Sequence, residues 1–261
     1  MAEKAQKFDG LSGDYDRFRP RYPEALLRRL AAMVPRKDEP QVADIGAGTG
    51  IALEGLVPLL GEHCRYTAVD VSADMVAAGR RKFPAVEWLV GGAEEFLESA
   101  TGVDLVVAAQ SFQWLDRPRV LRAATACLAP GGVFAVIQNN RDYRASAFLD
   151  SYESLLEELS PGYSRHYRDF DFATELRQAF EPVGGTTATD TADWTMTMRA
   201  EDFEGMAKSS TQVQRGLAAH GDELLARLRE LCEKHAEDGR LSIPYHTELF
   251  TARAPGDAAR G

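Results

Sequence analysis

The stretch VADIGAGTGIALEGL, residues 42–56, decides the fold. Val42 to Ile45 has the apolar run of a buried strand, and from Ile51 to Leu60 apolar residues recur at helical spacing. Between them stand Gly46, Gly48 and Gly50, where the absence of a Cβ permits left-handed dihedrals and lets a ligand press on the backbone. The helix N-terminus that follows presents amide donors and a partial positive charge. Strand, glycine turn and helix together form a cradle for an anion or a nucleotide.

The same rhythm continues outward. RYTAVDV is followed by ADMVAAGRRKF, VEWLV by EEFLES, VDLVVAAQ by RVLRAATACLA, and VFAVIQ closes the series. Five apolar strands joined by four helical crossovers imply a parallel sheet covered on both faces. The fold class read here is α/β, a Rossmann-like doubly wound, mainly parallel sheet whose ligand sits at the carboxyl ends of the central strands. Upstream, Pro23 opens a helix over Glu24 to Met33. Beyond Asn140 the pattern changes. ASAFLDSYESLLEEL, ATELRQAF and DELLARLRELCEKHA read as helices, SPGYSRHYRDFDF as a loop, and TADWTMTM and GRLSIPYHTELFTARA as strands, the last an antiparallel closing strand. The first fifteen residues and the tail PGDAARG carry no such pattern and are expected to be loosely held.

The 261 residues are 44% hydrophobic and 27% charged, as in an ordinary soluble domain, with no run long enough to span a membrane and no signal peptide. A net charge of -10 argues against a nucleic-acid partner, and the arginines of DRFRPRYPEALLRRL read as a surface helix and its entrance. Cys64, Cys127 and Cys232 are too far apart for a metal or redox motif, so buried free thiols and a cytoplasmic location are expected, with no metal.

A dinucleotide fingerprint places its third glycine at position 51, which is Ile51; the pattern here is G-x-G-x-G. Asp70, 24 residues after Gly46, ends the next strand, where a carboxylate accepts both hydroxyls of a ribose; a helix N-cap is the other use, which Ser72 already suits. DIGAGTG, AVDVSADMV, GGAEEF, DLVVAAQSFQWLD and LAPGGVFAVIQNN, in this order, resemble the class I S-adenosylmethionine-dependent methyltransferases. YDRFRPRYPEALL and IPYHTELFTAR extend the resemblance to a bacterial small-molecule subgroup that includes trans-aconitate-type enzymes.

The resemblance implies an organisation: N-terminal lid helices over 1–40, a cofactor-binding core over 41–140, a helical and aromatic cap over 141–238, a closing strand over 239–254 and a flexible tail over 255–261. It also implies roles. Gly46, Ala47 and Gly48 lie against the methionine and ribose portions of S-adenosylmethionine, Asp70 holds the ribose, and Val71 and Met75 flank the adenine. Beside Gly92, the Ala93 backbone N–H meets a ring nitrogen. Glu94 accepts from the exocyclic amine, or is an ordinary first-turn carboxylate. Gln110 faces the sulfonium end, and Tyr15 and Arg19 belong to the lid.

Methyl transfer rests mainly on alignment of the reactants. Tyr15 and Gln113 are the catalytic candidates. Gln113 stands where the subgroup commonly has a histidine, and glutamine is no base near neutral pH. Tyr22, Gln113, Trp114, Arg141 and Tyr245 are the acceptor-side candidates. Trp114 reads as wall or core, Arg141 as an anion contact or a partner of Asp142, and His246 as a partner of Glu248. Among Tyr143, Phe148, Tyr152, Tyr163, Tyr167, Phe170 and Phe172, some are expected to cover the acceptor and others to form the core of the cap. The expected reaction is methylation of a small molecule or a short peptide terminus, an oxygen or carboxylate acceptor being favoured. N- or C-methylation, an NAD-dependent oxidoreductase and a non-catalytic cofactor-binding subunit are the alternatives.

Overall fold

The computed structural model describes residues 16, 18–167 and 169–256. The expectations for the first fifteen residues, including Tyr15, and for most of the tail lie outside them.

Helix α1 (Glu24–Met33) follows Pro23 and buries Leu26, Leu27 and Leu30. The glycine turn joins β1 (Gln41–Ile45) to α2 (Ile51–Leu60), the bounds the periodicity predicts. Then come β2 (Arg65–Asp70), α3 (Ala73–Lys82), β3 (Glu87–Val90), α4 (Ala93–Ser99), β4 (Val103–Ala109), α5 (Arg117–Cys127) and β5 (Leu128–Arg141). Polar side chains set where these helices begin: Ser72 accepts from the Met75 amide at 3.4 Å and Asp116 from the Arg119 amide at 3.1 Å. Downstream are α6 (Ala147–Leu159), α7 (Phe172–Phe180), β6 (Thr186–Arg199), α8 (Ala200–Lys208), α9 (Thr211–His220), α10 (Asp222–His235) and β7 (Arg240–Arg253).

The seven strands form one sheet in the order β3-β2-β1-β4-β5-β7-β6. β1 to β5 run parallel, whereas β7 is antiparallel to both β5 and β6. Strand order reverses between β1 and β4, which makes their carboxyl ends the crevice of a doubly wound sheet. One face packs on α1, α2 and α3 through Leu30, Leu53, Leu56 and Val76. The other packs on α4, α5 and α7, with Phe112 edge-on to Phe134 and Phe172. Phe170 and Phe172 thus belong to the sheet's core. Phe148 and Tyr152 of α6 instead join Phe203 and Leu228 in a third cluster formed by α6, α8, α9, α10 and the start of β7.

Sequence periodicity misses α8 and α9. Each carries an interior glycine, Gly205 or Gly216, which weakens a helical pattern. Their presence has a packing reason. A Cβ on Gly205 would stand 2.6 Å from the Phe18 ring, and one on Gly216 would stand 2.4 Å from Leu224. The free cysteines are buried, and no helix among the described residues is long and apolar enough to cross a membrane.

Gly79 in α3 tests this packing. Alanine is the better helix former by roughly 1 kcal/mol, yet its Cβ would fall 2.0 Å from the Trp88 ring. Overpacking costs about 1–3 kcal/mol and outweighs the propensity gain. Gly79→Ala should therefore lower the denaturation midpoint; a raised midpoint would contradict the Trp88 contact.

Candidate functional site

The glycine turn is shaped by close approach. Gly46, Gly48 and Gly50 all have positive φ, at 63°, 57° and 83°. A Cβ on Gly46 would lie 2.5 Å from that of Ser111, whose hydroxyl donates to the Ile45 carbonyl at 2.7 Å and fastens β4 to β1. The Ala47 amide donates to Val69 at 3.0 Å and the Gly48 amide to the Asp70 carboxylate at 2.8 Å. Asp70 also accepts from the Ser72 amide at 2.9 Å. Burial pushes the Asp70 carboxyl upward in pKa, against the pull of these backbone bonds. Each carboxylate oxygen still has a lone pair for a hydroxyl.

Beneath the turn, Asp44 is the lone charge in the buried β1. Its side chain is on the same face as Val42, only 1% of the residue is exposed, and neither carboxylate oxygen has a hydrogen-bond partner. Burial, then the nearby Asp70 carboxylate, push its pKa up to about 8. A buried acid with two unfilled acceptors is costly unless a cation or donor comes to it.

Gln110 follows β4 in a left-handed conformation, φ 58°, unusual for a residue with a side chain. Three bonds hold it. Its amide donates to Ile137 at 2.9 Å, its side chain to the Asn139 carbonyl at 2.9 Å, and its carbonyl accepts from Gln113 at 3.0 Å. Asn139 in turn donates to the Arg21 carbonyl at 3.3 Å and accepts from Thr247 at 2.6 Å.

The N-terminal segment crosses above. Asp16 accepts from Thr49 in the glycine turn at 2.7 Å and from Lys82 at 2.6 Å, Arg21 pairs with Glu54 at 2.6 Å, and Arg19 donates to the Ser209 carbonyl at 3.1 Å. Below it lies a cavity of about 40 Å³ bordered by Arg19, Tyr22, Ile51, Gln110, Arg141 and Tyr245, among others. Among the described residues, its lining holds no carboxylate and no imidazole. Arg141 ends β5 with its guanidinium 5.0 Å from the Tyr152 ring and 3.2 Å from Glu153, a residue only 4% exposed. Tyr163 donates to the other Glu153 oxygen. Two donors are left over, Arg141 Nε and the Tyr152 hydroxyl. Burial pushes the Tyr152 phenol up to about 12, so it stays protonated. No metal-binding group of three or more ligands occurs among the described residues.

This crevice, a glycine turn after β1 with an acid at the tip of β2, coincides with a family model described as a methyltransferase domain, which matches residues 43–134. A methyltransferase of Mycobacterium tuberculosis is 28% identical over 248 residues, 94% of each chain. A methyltransferase structure from Anaeromyxobacter dehalogenans superimposes with a TM-score of 0.68 at 26% identity, covering 91% of this chain and 99% of that one. The chain carries a methyltransferase domain on the class I methyltransferase fold, which supports S-adenosylmethionine-dependent methyl transfer. A trans-aconitate 2-methyltransferase from Azoarcus is 38% identical over 117 residues, 44% of this chain and 45% of that protein.

In this methyltransferase the residues singled out from the sequence fall into two groups. Gly46, Ala47, Gly48 and Asp70 meet at the turn. Val71 is half-buried beside them, and Met75 is buried in the first turn of α3. The Gly91 amide donates to the Asp70 carbonyl at 3.0 Å, which starts GGAEEF beside Asp70, with Gly92 preceding α4 and Ala93 buried. Glu94 accepts from the Asp116 amide at 2.8 Å, the ordinary helix-end use of such a residue. Arg19, Tyr22, Gln110, Arg141 and Tyr245 surround the inner cavity.

Four readings need correction. Trp114 is 43% exposed and does not border the inner cavity; it is not core, because its one-turn helix (Phe112–Trp114) buries Phe112 instead. Gln113 donates to the Gln110 carbonyl, keeps a buried side-chain oxygen without a partner, and does not border the cavity either. Arg141 pairs with Glu153, since Asp142 caps the next turn by accepting from the Arg144 amide at 3.1 Å. His246 pairs with Asp193 at 2.6 Å and not with Glu248, because the residue directly across a ladder is nearer than the second neighbour along a strand. Asp44 and Glu153 are the polar residues sequence reasoning missed, whereas Tyr152 stood among the expected cap aromatics. An acid in an apolar strand, and another on the buried stripe of α6, were the available signals.

Asp44 gives a pH test. Unfolded, its carboxyl loses a proton near 3.8; folded, it holds the proton to about 8. The folded state therefore binds the extra proton between these values, and the stability of the ligand-free protein falls as pH rises through that window. Asp44→Asn should remove this decline, so its melting temperature relative to the native protein should rise from pH 5 to pH 8. A constant difference would refute the raised pKa.

Proposed function

We propose that this methyltransferase transfers a methyl group to a carboxylate oxygen of a small acid. The observation that carries the reading is Arg141, which borders the cavity together with Arg19 and whose buried Nε has no acceptor; the Tyr152 hydroxyl, likewise without a partner, belongs to the α6 side chain stacked against its guanidinium. Such donors favour an anion, and a guanidinium suits a planar, two-oxygen one. The similarity to a trans-aconitate 2-methyltransferase supports the same chemistry.

The cofactor side fits S-adenosylmethionine on this chain's own features. Asp70 has lone pairs for ribose hydroxyls, the positive-φ glycines admit close contact, and Asp44 offers an unfilled acid to a cationic group. Ala93 and Glu94 begin α4 at the adenine end, with Val71 and Met75 beside them. When bound, the cofactor supplies a sulfonium methyl whose carbon–sulfur bond breaks as the acceptor oxygen bonds to carbon.

The protein's part is placement and exclusion of water. Arg141 and Tyr152 hold the carboxylate, Gln110 fixes the junction between cofactor and acceptor, and Tyr22 and Tyr245 wall the cavity. The segment from Phe18 to Tyr22 covers it as a lid, and the helices around α6, α8, α9 and α10 cap it. Correct placement is worth roughly 7–11 kcal/mol of barrier. A carboxylate is already ionised near neutral pH and needs no base, in keeping with a lining that, among the described residues, holds no carboxylate and no imidazole.

Two measurements test this. In calorimetric titrations, S-adenosylmethionine and its demethylated product should bind and NAD should not. Asp70→Ala should weaken that binding 10- to 100-fold, about 1.4–2.8 kcal/mol; unchanged affinity in a folded variant would remove Asp70 from the cofactor site. Tyr152→Phe should raise KM for a carboxylic acceptor by roughly tenfold, the scale of a hydrogen bond to a charged group, while the melting temperature stays level or rises. An unaltered KM would argue against carboxylate recognition here.

A further inference from the structure

The inner cavity, at about 40 Å³, is the smaller of two neighbouring spaces. On the far side of Arg141 lies a groove of about 400 Å³, the size in which small ligands bind. Among the described residues, Arg141 is the one that borders both spaces. The strand explains how. On the groove side Arg141 is accompanied by Asn140 and that residue's ladder partner His246, and on the cavity side by Asn139 and by Tyr245, the ladder partner of Arg141.

The groove is aromatic and rigid. Tyr163 and Tyr167 have their ring centres 5.4 Å apart, and Tyr143 lies between Arg165 at 5.2 Å and Arg144 at 5.5 Å. Arg165 is itself held by Asp150 at 2.6 Å and Glu157 at 2.9 Å, so this wall is formed before a ligand arrives. Its charges balance: Arg141, Arg144 and Arg165 are matched by Asp142, Glu153 and Asp169. A second strong anion gains little there, whereas an uncharged planar group finds ring faces and guanidinium planes.

Building on the carboxylate reading, we infer that the acceptor is an elongated acid held in two parts. Its carboxylate enters the inner cavity beside Arg141, and an uncharged, planar, aryl or polyene body lies in the groove against Tyr143, Tyr163 and Tyr167. Arg141 is the joint. Glu153, itself held by the Tyr163 hydroxyl, occupies one end of its guanidinium and leaves Nε for the acid.

The test gives the full-length protein S-adenosylmethionine with either fumarate, as a short acid, or 3-phenylpropenoic acid and its biphenyl analogue, with ester formation read by chromatography. The aryl acids should exceed fumarate in kcat/KM by about tenfold or more, and Tyr143→Ala and Tyr167→Ala should each cut that preference at least several-fold. Esterification of fumarate as efficient as that of the aryl acids, or a preference indifferent to both substitutions, would overturn the two-part acceptor and leave the carboxylate reading standing. Failure of every acid in a protein that still binds the cofactor would remove both.

Discussion

The Gly46 backbone passes so near Ser111 that one added carbon would lie 2.5 Å from the serine Cβ. That approach brings the tips of β1 and β4 together at the reversal of strand order, and the Ser111 bond to Ile45 locks it. The glycine turn hangs from this contact, with the Gly48 amide aimed at Asp70 and the Ala47 amide at Val69. Gln110, immediately before Ser111, takes its left-handed backbone where the same tip turns away from the sheet. Moving Ser111 outward would loosen β1, β2 and β4 together, because each bond at the crevice uses backbone that another bond positions.

Charge within the crevice is segregated. Asp44 and Asp70 lie under and beside the glycine turn, close enough that the Asp70 carboxylate disfavours ionisation of Asp44, while Arg19 and Arg141 border the cavity. Buried acids alone, or buried arginines alone, are unfavourable in a low-dielectric interior. The separation favours a ligand pair of opposite polarity, a cationic group over the acids and an anionic one between the arginines.

The sequence already carried the sheet core, because β1 to β5 are apolar runs and α2, α3 and α5 have helical spacing with recognisable caps. The glycine turn, Asp70 and the entry to α4 were legible for the same reason: local rules place them. The acceptor side was not. Glu153 is thirteen positions from Asn140 along the chain yet reaches Arg141 only through the packing of α6, and α8 and α9 hide behind glycines that their neighbours require. His246 finds Asp193 by strand register, which single-sequence periodicity does not fix. Contacts between distant segments decide these cases.

The β6–β7 ladder has a consequence for how such a fold changes over time. Its register runs unbroken from Thr186 opposite Arg253 to Arg199 opposite Arg240. Residues 200–239, which hold α8, α9 and α10, thus leave and re-enter the sheet at adjacent positions. They are an excursion from the closed end of a hairpin. An excursion of this kind can be lengthened, shortened or exchanged with little demand on the strands that anchor it. The part of the cover it supplies is free to diversify while the crevice beneath keeps its geometry.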